Sequence, residues 1–456
     1  MSKVVVLGGG VSGLAAGLML ARDGHEVTLL ERDPSPVPDS VEGAWEAWER
    51  GGVAQFHQAH ILQARGSAAL DAELPDVRDA VLDAGGIRFD YMRMLPPTVA
   101  DREPRPGDDR LATVTARRAV LELALAGAAE AQDGLDVRRG VIASGLDVEG
   151  ERVRGVATDA GDRLRADLVV DAMGRRSKLP QLLGDGVEED AEDCGFVYYT
   201  RYYRGDMPVP RSALNTPFES FSLLTLPADN GTWSVTLYAT SGDRPLKAFR
   251  HEAAFAAVVG ACPLHRHWLD GEPITGVLAM GGVQDRRRRV DPARLAGLAL
   301  LGDAWACTNP SVGRGMSFAL SHAALLRGYV GDPEAFAEAT ERELGPWYDS
   351  TVAGDRARLG EMVAAREGGP YSVPADPASR LRAALPAAAG LDADVFRALV
   401  EIANMLTLPQ DVFARPGFAD RVIAAARARG DTRRPGPGRE ELLEVVSSAG
   451  ARAAAG

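Results

Sequence analysis

Four apolar residues, Val4–Leu7, run straight into Gly8-Gly9-Gly10-Val11-Ser12-Gly13, and a helical pattern over Leu14–Ala21 follows. A buried strand, a glycine turn and a helix in immediate succession leave little freedom in how this segment folds. In the spacing Gly8-x-Gly10-x-x-Gly13, Gly8 permits the tight turn, Gly10 lets main-chain amides approach an anion, and Gly13 lets helix and strand pack closely. Val11 and Ser12 open the helix, where unpaired N–H groups and the helix dipole favour negative charge. A second apolar run, Val27–Leu30, ends in Glu31, eighteen positions past Gly13, where such a unit places an acid for ribose hydroxyls. With Arg32 beside it, Glu31 completes a predicted βαβ dinucleotide-binding unit that suits FAD and NAD equally.

At about 150 residues per domain, the 456-residue chain predicts roughly three structural units. Its 46% hydrophobic and 25% charged residues are close to those of an ordinary globular protein, which excludes collagen-like, disordered and disulfide-scaffold chains. A net charge of −13, from 51 Lys+Arg against 64 Asp+Glu, argues against nucleic acid or an anionic membrane as partner. Any bound anion must therefore be gripped locally. Cys194, Cys262 and Cys307 lie far apart without CxxC spacing, which indicates neither disulfides nor a thiolate zinc site and suits a reducing cytoplasm. His265 and His267 lack a third ligand at metal spacing and read as surface or packing residues, so no metal is expected. Val4–Leu7 is too short for a secretory signal, and Leu14–Ala21 is too short to span a bilayer.

Proline and glycine punctuation over Asp33–Gly52, with Trp45 and Trp48 among charges, predicts a loop excursion outside the core. Helices are expected over Ala59–Leu70, Val77–Ala84 and, behind Thr115 as N-cap, Arg117–Ala131. Strands follow over Leu135–Arg138, Gly140–Asp147, Val153–Thr158 and Asp167–Asp171, a meander and then a return to the main sheet. Gly195–Arg204, with Ser220–Pro227 and Thr232–Ala239 around Asp229-Asn230-Gly231, predicts a second, antiparallel sheet. Alternation puts Val197, Tyr199, Arg201 and Tyr203 on one face and Tyr198, Thr200, Tyr202 and Arg204 on the other, one face lining a cavity. Ala248–Val259 reads as helix, Gly276–Val283 and Leu298–Leu301 as strands, and Arg286–Arg289 as a solvated edge. Beyond Arg314 the chain reads as helical, up to Pro416–Arg429, and the residues after Gly430 as a frayed end.

About 290 residues past the glycine turn stand Leu300-Leu301-Gly302-Asp303-Ala304 and Asn309-Pro310-Ser311-Val312-Gly313-Arg314-Gly315-Met316-Ser317. A strand ending in Gly302-Asp303 offers a carboxylate to a ribityl hydroxyl, and a helix opening at Gly315 and Met316 offers free N–H groups to flavin carbonyls. These stretches resemble the second FAD motif of the aromatic-hydroxylase class (group A) of flavoprotein monooxygenases, in the form found in bacterial natural-product tailoring enzymes. Arg118-Ala119-Val120-Leu121 resembles the class's Arg-x-x-Leu element, whose arginine reaches the FAD pyrophosphate; Arg117 is the competing candidate. Asp171-Ala172-Met173-Gly174-Arg175-Arg176-Ser177 resembles the middle motif Gly-Ala-Asp-Gly-x-x-Ser, but Met173 replaces its aspartate, so that carboxylate's role does not carry over. Asp171 is then either a strand-end turn residue or a cofactor contact. Gly52–His60 partly resembles the Val-Pro-Gln-x-x-His-x-His element of a branch that includes polyene epoxidases, which implies His60 near the isoalloxazine, with His57 aligning less cleanly.

The resemblance implies a Rossmann-like FAD-binding domain of the glutathione-reductase type over 1–185 and 284–365. It implies an inserted antiparallel-sheet substrate domain over 186–283 and a helical C-terminal region over 366–456. FAD would be held by Gly8, Gly10, Val11, Ser12, Gly13, Glu31, Arg32, Arg118, Gly302, Asp303, Gly313, Gly315 and Met316. Pro310 would sit with Gly313, Arg314 and Gly315 beside the reacting edge, where main-chain N–H groups stabilise charge on the flavin pyrimidine. The implied reaction is hydroxylation or epoxidation of a bulky hydrophobic or aromatic natural-product intermediate through a flavin C4a-hydroperoxide. With no second GxGxxG, NAD(P)H binds transiently or a separate reductase supplies reduced flavin. The rivals are an FAD-dependent dehydrogenase or oxidase without oxygen insertion, and a flavin- or ligand-binding protein without catalysis, to which Met173 lends weight. Flavin halogenation is excluded by the missing Trp-x-Trp-x-Ile-Pro element, and Cys307 reads as a packing thiol. Nothing in the sequence fixes an oligomeric state.

Overall fold

The computed structural model describes residues 1–183, 187–291, 296–429 and 435–455, the last five of these by backbone alone. Lys3–Leu7 and Glu26–Glu31 pair in parallel around the helix Val11–Arg22. Among the described residues the sheet has the order Leu298–Leu300, Leu168–Asp171, Lys3–Leu7, Glu26–Glu31, Leu135–Arg139. Both faces are covered, as a continuous apolar run demands. Val4 and Val6 join the cluster under Val11–Arg22 and Arg118–Glu130, while Val5 and Leu7 join the opposite one with Val153, Val156 and Trp347. Strand order reverses beside Lys3–Leu7, and crevices outside the C-terminal strand ends at such a reversal are where open α/β sheets bind ligands.

The second sheet is antiparallel, with Phe196–Arg204 paired to Thr232–Thr240, which pairs in turn with Phe221–Pro227. Tyr199, Tyr203, Trp233, Val235 and Leu237 pack against Phe255 and Val258 of the helix Glu252–Gly260. The other face turns toward the first sheet: the Tyr202 hydroxyl donates to the Gln58 carbonyl at 2.8 Å, and the Tyr198 hydroxyl to Asn309 Oδ1. Val187–Asp193 and Gln284–Val290 form the antiparallel ribbon on which the chain enters and leaves this layer. The helices Pro377–Ala388, Ala393–Ala403 and Phe418–Arg429 cap the segment around Tyr91, Leu95 and Leu111.

Several expectations are corrected. Asp33–Gly52 holds a helix, Val41–Ala47, capped by Ser40, and Trp45 and Trp48 are core residues. Burial of two indoles outweighs the local turn composition. The helix expected over Ala59–Leu70 begins only at Ala64, which frees Ala59 and His60 to line the cavity below. Of Gly276–Val283 only Leu278–Met280 is strand. Arg286–Arg289 is no solvated edge: it lies in the ribbon strand, with Arg286 and Arg288 buried and both facing Glu189. Nor does the chain end in a frayed segment, since Arg439–Ala455 is a helix whose Leu442 and Val446 pack against the antiparallel sheet's outer face. Arg439 anchors it through an ion pair with Asp243. Residues 430–434 lie outside the described residues. Among the described residues no helix is long and apolar enough to cross a membrane.

Candidate active site

A cavity of ≈ 260 Å³ opens at the strand-order reversal, lined by Leu7, Gly8 and Gly10 on one side and Asp303, Pro310 and Gly313 on the other. The wall begins where Lys3–Leu7 ends. Gly8 turns there with φ +104°, and a Cβ on it would stand 2.6 Å from the Ala172 carbonyl oxygen. A Cβ on Gly13 would stand 1.9 Å from the Gly8 carbonyl oxygen, so the helix packs directly onto the turn and Gly13 shapes the wall without lining it. Gly10 differs. It lines the cavity, and a Cβ there would meet no protein atom within 4 Å. Protein packing therefore does not demand glycine at this position, and its absent side chain leaves the main chain open to the cavity. Val11 and Ser12 line the cavity at the helix N-terminus.

Glu31 and Arg32 both line the cavity. The Glu31 carboxylate also braces the turn, accepting from the Gly9 N–H at 2.7 Å and the Asp33 N–H at 2.8 Å. Beside it lies a charge cluster that the sequence reading missed. Arg50 Nε donates to Glu122 at 2.9 Å, Arg50 Nη2 donates to the Gly9 carbonyl at 2.7 Å, and Arg118 Nε donates to the other Glu122 oxygen at 2.5 Å. Burial works against the Glu122 charge, but Arg118 and Arg50 hold its carboxyl below the ordinary glutamate range. Of the two neighbouring arginines, Arg118 lines the cavity, whereas Arg117 is wholly buried in ion pairs with Asp229 and Glu42. The i,i+4 spacing of Arg118 and Glu122 was a usable signal. Arg50, in a segment read as loop, offered none except its neighbour Trp48, whose ring it covers at 4.8 Å.

The distant motif meets the first directly. A Cβ on Gly302 would lie 2.1 Å from Ser12 Oγ, so only glycine lets the two segments touch. Asp303 lines the cavity between them; burial raises its carboxyl, with Arg118, Arg175 and Arg286 pulling the other way. Gly302 is fixed from behind, its N–H donating at 3.1 Å to Nδ1 of the buried His322. Gly315 and Met316 open a helix facing the cavity, as Val11 and Ser12 do opposite. Arg314 does not line it: its side chain donates to Thr351 Oγ1 at 2.5 Å and to the Trp347 carbonyl at 3.3 Å. His60 lines the cavity with Nδ1 2.8 Å from the Gln58 carbonyl and Nε2 3.4 Å from Arg118 Nη1. Since a guanidinium only donates, Nε2 accepts and Nδ1 carries the proton. Desolvation and the Arg118 charge push this imidazole down to about 3, so it is neutral.

His57 packs on Trp45 and Phe56 and is not in the lining. Asp171 is a turn residue, accepting from Met173 N–H at 3.0 Å and Ser177 Oγ at 2.5 Å, while Met173 itself faces the cavity. Cys307 is a buried thiol bonded to the Gln284 carbonyl, as expected of a packing residue.

The lining fits an extended, partly anionic ligand. It offers two helix N-termini, a buried carboxylate, and two buried oxygens without hydrogen-bond partners, Asp33 Oδ2 and Gln55 Oε1. Residues 1–328 match the FAD binding domain family, and the chain belongs to it. It is 32% identical over 198 residues to kynurenine 3-monooxygenase of Salinispora arenicola (strain CNS-205), covering 41% of this chain and 38% of that one. To the FAD-dependent monooxygenase fsr3 of Gibberella fujikuroi (strain CBS 195.34 / IMI 58289 / NRRL A-6831) it is 29% identical over 259 residues, covering 56% and 45%. The chain thus spans 38% and 45% of the length of these curated relatives. Its fold is shared with the Diels-Alderase PyrE3 of pyrroindomycin biosynthesis (TM-score 0.61, 19% identity, 89% of this chain and 81% of that one). The chain is an FAD-binding α/β protein of the aromatic-hydroxylase fold.

Proposed function

We propose that this protein is an FAD-dependent monooxygenase that hydroxylates or epoxidises a bulky, partly apolar or aromatic small molecule. The observation that carries the reading is the meeting of the Gly8–Glu31 and Gly302–Met316 segments along one cavity, with Gly302 against Ser12. Bound FAD would supply the redox chemistry, with electrons from NAD(P)H or a partner reductase and oxygen as co-substrate.

The chain's own residues hold, orient and shield. Amides at the N-termini of Val11–Arg22 and Gly315–Arg327 would receive the anionic and carbonyl portions of the cofactor. Arg118, fixed by Glu122, would face the pyrophosphate, Asp303 would accept from a ribityl hydroxyl, and Glu31 and Arg32 would stand at the ribose. Neutral His60 adds an acceptor without a competing positive charge. Main-chain N–H groups at Gly313, Arg314 and Gly315, rather than the Arg314 side chain, would stabilise negative charge on the ring, with Pro310 excluding water beside it. In this reading 1–185 and 284–365 hold the cofactor, 186–283 presents the Tyr198–Tyr202 face to substrate, and 366–456 buttresses both. Three buried free thiols accord with a cytoplasmic setting.

The test is direct. Purified protein is expected to be yellow, and Asp303→Ala to lose most bound FAD. With substrate and labelled dioxygen, one labelled oxygen atom enters the product. Turnover without label would transfer the assignment to a dehydrogenase or oxidase, and a colourless protein that rejects added FAD would overturn the reading altogether.

A further inference from the structure

The cavity wall at Pro310 is held from outside the FAD motifs. Asn309, fully buried, donates its main-chain N–H to Asp285 Oδ1 at 2.8 Å and its side-chain amide to Asp355 Oδ1 at 2.8 Å. Ser311 Oγ donates to the same Asp355 oxygen at 3.0 Å. Asn309 Oδ1 accepts from the Tyr198 hydroxyl, and Tyr198 stacks on Tyr238, ring centroids 5.1 Å apart. Tyr238 donates to Asn215 Oδ1 at 3.2 Å, and Asn215 Nδ2 returns to the Ser311 carbonyl at 3.0 Å. The circuit joins the turn to the antiparallel sheet and to the long helix Gly345–Glu367, which carries Asp355.

An asparagine amide can point either way, and its partners choose. Here an acceptor on the Nδ2 side and a donor on the Oδ1 side fix one orientation, and Asp355 supplies that acceptor. Its second oxygen, Oδ2, is buried with no hydrogen-bond partner. A carboxylate so placed is costly to keep charged and is retained most readily where its acceptor role matters.

We propose that Asp355 is a positioning residue for the candidate active site, setting the Asn309–Ser311 turn, and with it Pro310 at the cavity, in register with Tyr198 on the substrate-facing sheet. This rests on the cavity being the FAD site. The position is sensitive to proton uptake. Burial and the neighbouring Asp285 raise the Asp355 carboxyl to about 7, against Asn309, Ser311 and Arg314, which lower it. The other titratable groups facing it are Tyr198, Tyr238 and Cys194, all themselves pushed up by burial and therefore neutral. Asp285, in the same circuit, is also raised by burial, so the two neighbouring carboxyls are coupled, and Asp355 is the one that holds the Asn309 amide.

The experiment compares FAD dissociation constants and the visible flavin spectrum of wild type, Asp355→Asn and Asp355→Ala from about pH 5.5 to pH 8.5. Wild type should show one spectral and affinity transition centred near 7. Asp355→Asn should bind FAD yet lose that transition, and Asp355→Ala should weaken FAD by roughly three- to tenfold, the worth of one to two hydrogen bonds. Should Asp355→Ala fail to fold, Asp355→Asn alone decides. A transition that persists in Asp355→Asn, or a wild-type profile that is flat, overturns the proposal while leaving the FAD site standing. A wild-type chain that binds no FAD overturns the underlying reading instead.

Discussion

At the Gly8–Gly13 end the cavity wall is main chain packed on main chain, with Glu31 and Arg50 bracing Gly9, whereas at the Asn309–Met316 end it is a turn held chiefly by side chains reaching in from separate segments. The first is rigid because its contacts are steric: the Gly13 Cα stands against the Gly8 carbonyl, and the Gly8 Cα against the Ala172 carbonyl. The second is held by hydrogen bonds that Asp285 and Asp355 accept and that Tyr198 and Asn215 donate. One end therefore fails abruptly under a single added methyl group. The other yields by degrees and responds to proton uptake.

The largest expected effect lies at the rigid end. Gly13→Ala sets a Cβ 1.9 Å from a backbone oxygen that cannot rotate away, and should cost more than about 4 kcal/mol in denaturant unfolding or leave no folded protein. Gly10→Ala, whose Cβ meets no protein atom within 4 Å, should instead keep stability and lose FAD affinity. Equal stability losses in the two variants would erase the distinction drawn between packing and ligand approach.

The charge cluster beside the glycine turn comes next. Glu122→Ala leaves Arg118 and Arg50 facing each other without their shared carboxylate, and removal of one partner from a buried ion pair costs about 3–5 kcal/mol. Glu122→Gln should lose less, because the amide oxygen still accepts one guanidinium. Thermal unfolding of the two variants, with FAD affinity measured alongside, checks the order; equal losses would mean that shape rather than charge holds the arginines.

The contrast also governs what the sequence made readable. The nucleotide end was legible because each constraint lies within a few residues of the next: strand, glycine spacing, helix opening and the acid at Glu31 are one continuous pattern. Asp303 and the helix opening at Gly315 were legible for the same reason, and the structure places them at the cavity. Arg50 and Asp355 were not legible, since each matters through a partner 41 to 72 residues away, whereas Glu122 carried a local signal in its i,i+4 spacing to Arg118. The motif implies a main-chain role for Arg314, and its side chain turns away from the cavity to Thr351 and Trp347. Trp45, Trp48, Arg286 and Arg288 misled: local polarity suggested exposure, and pairing or packing with distant segments buried them.

The smallest effect is the most discriminating, because it separates a titrating wall from a steric one. Asp355 has its carboxyl raised by burial from 3.8 to about 7. A carboxyl raised on folding favours the folded state while protonated, so its contribution is complete below the ordinary carboxylate range and is lost as pH climbs toward 7. Wild type should therefore lose on the order of 2 kcal/mol relative to Asp355→Asn between about pH 5 and pH 8, partly offset by the unpartnered amide hydrogens the asparagine introduces. Comparing the two proteins cancels the other raised carboxyls Asp171 and Asp303 to first order, while Asp285, whose charge helps raise Asp355, is relieved together with it in Asp355→Asn. Denaturant midpoints at the two pH values measure the difference. Parallel curves would place the Asp355 charge in contact with solvent and make the Pro310 wall as insensitive to protons as the glycine turn opposite it.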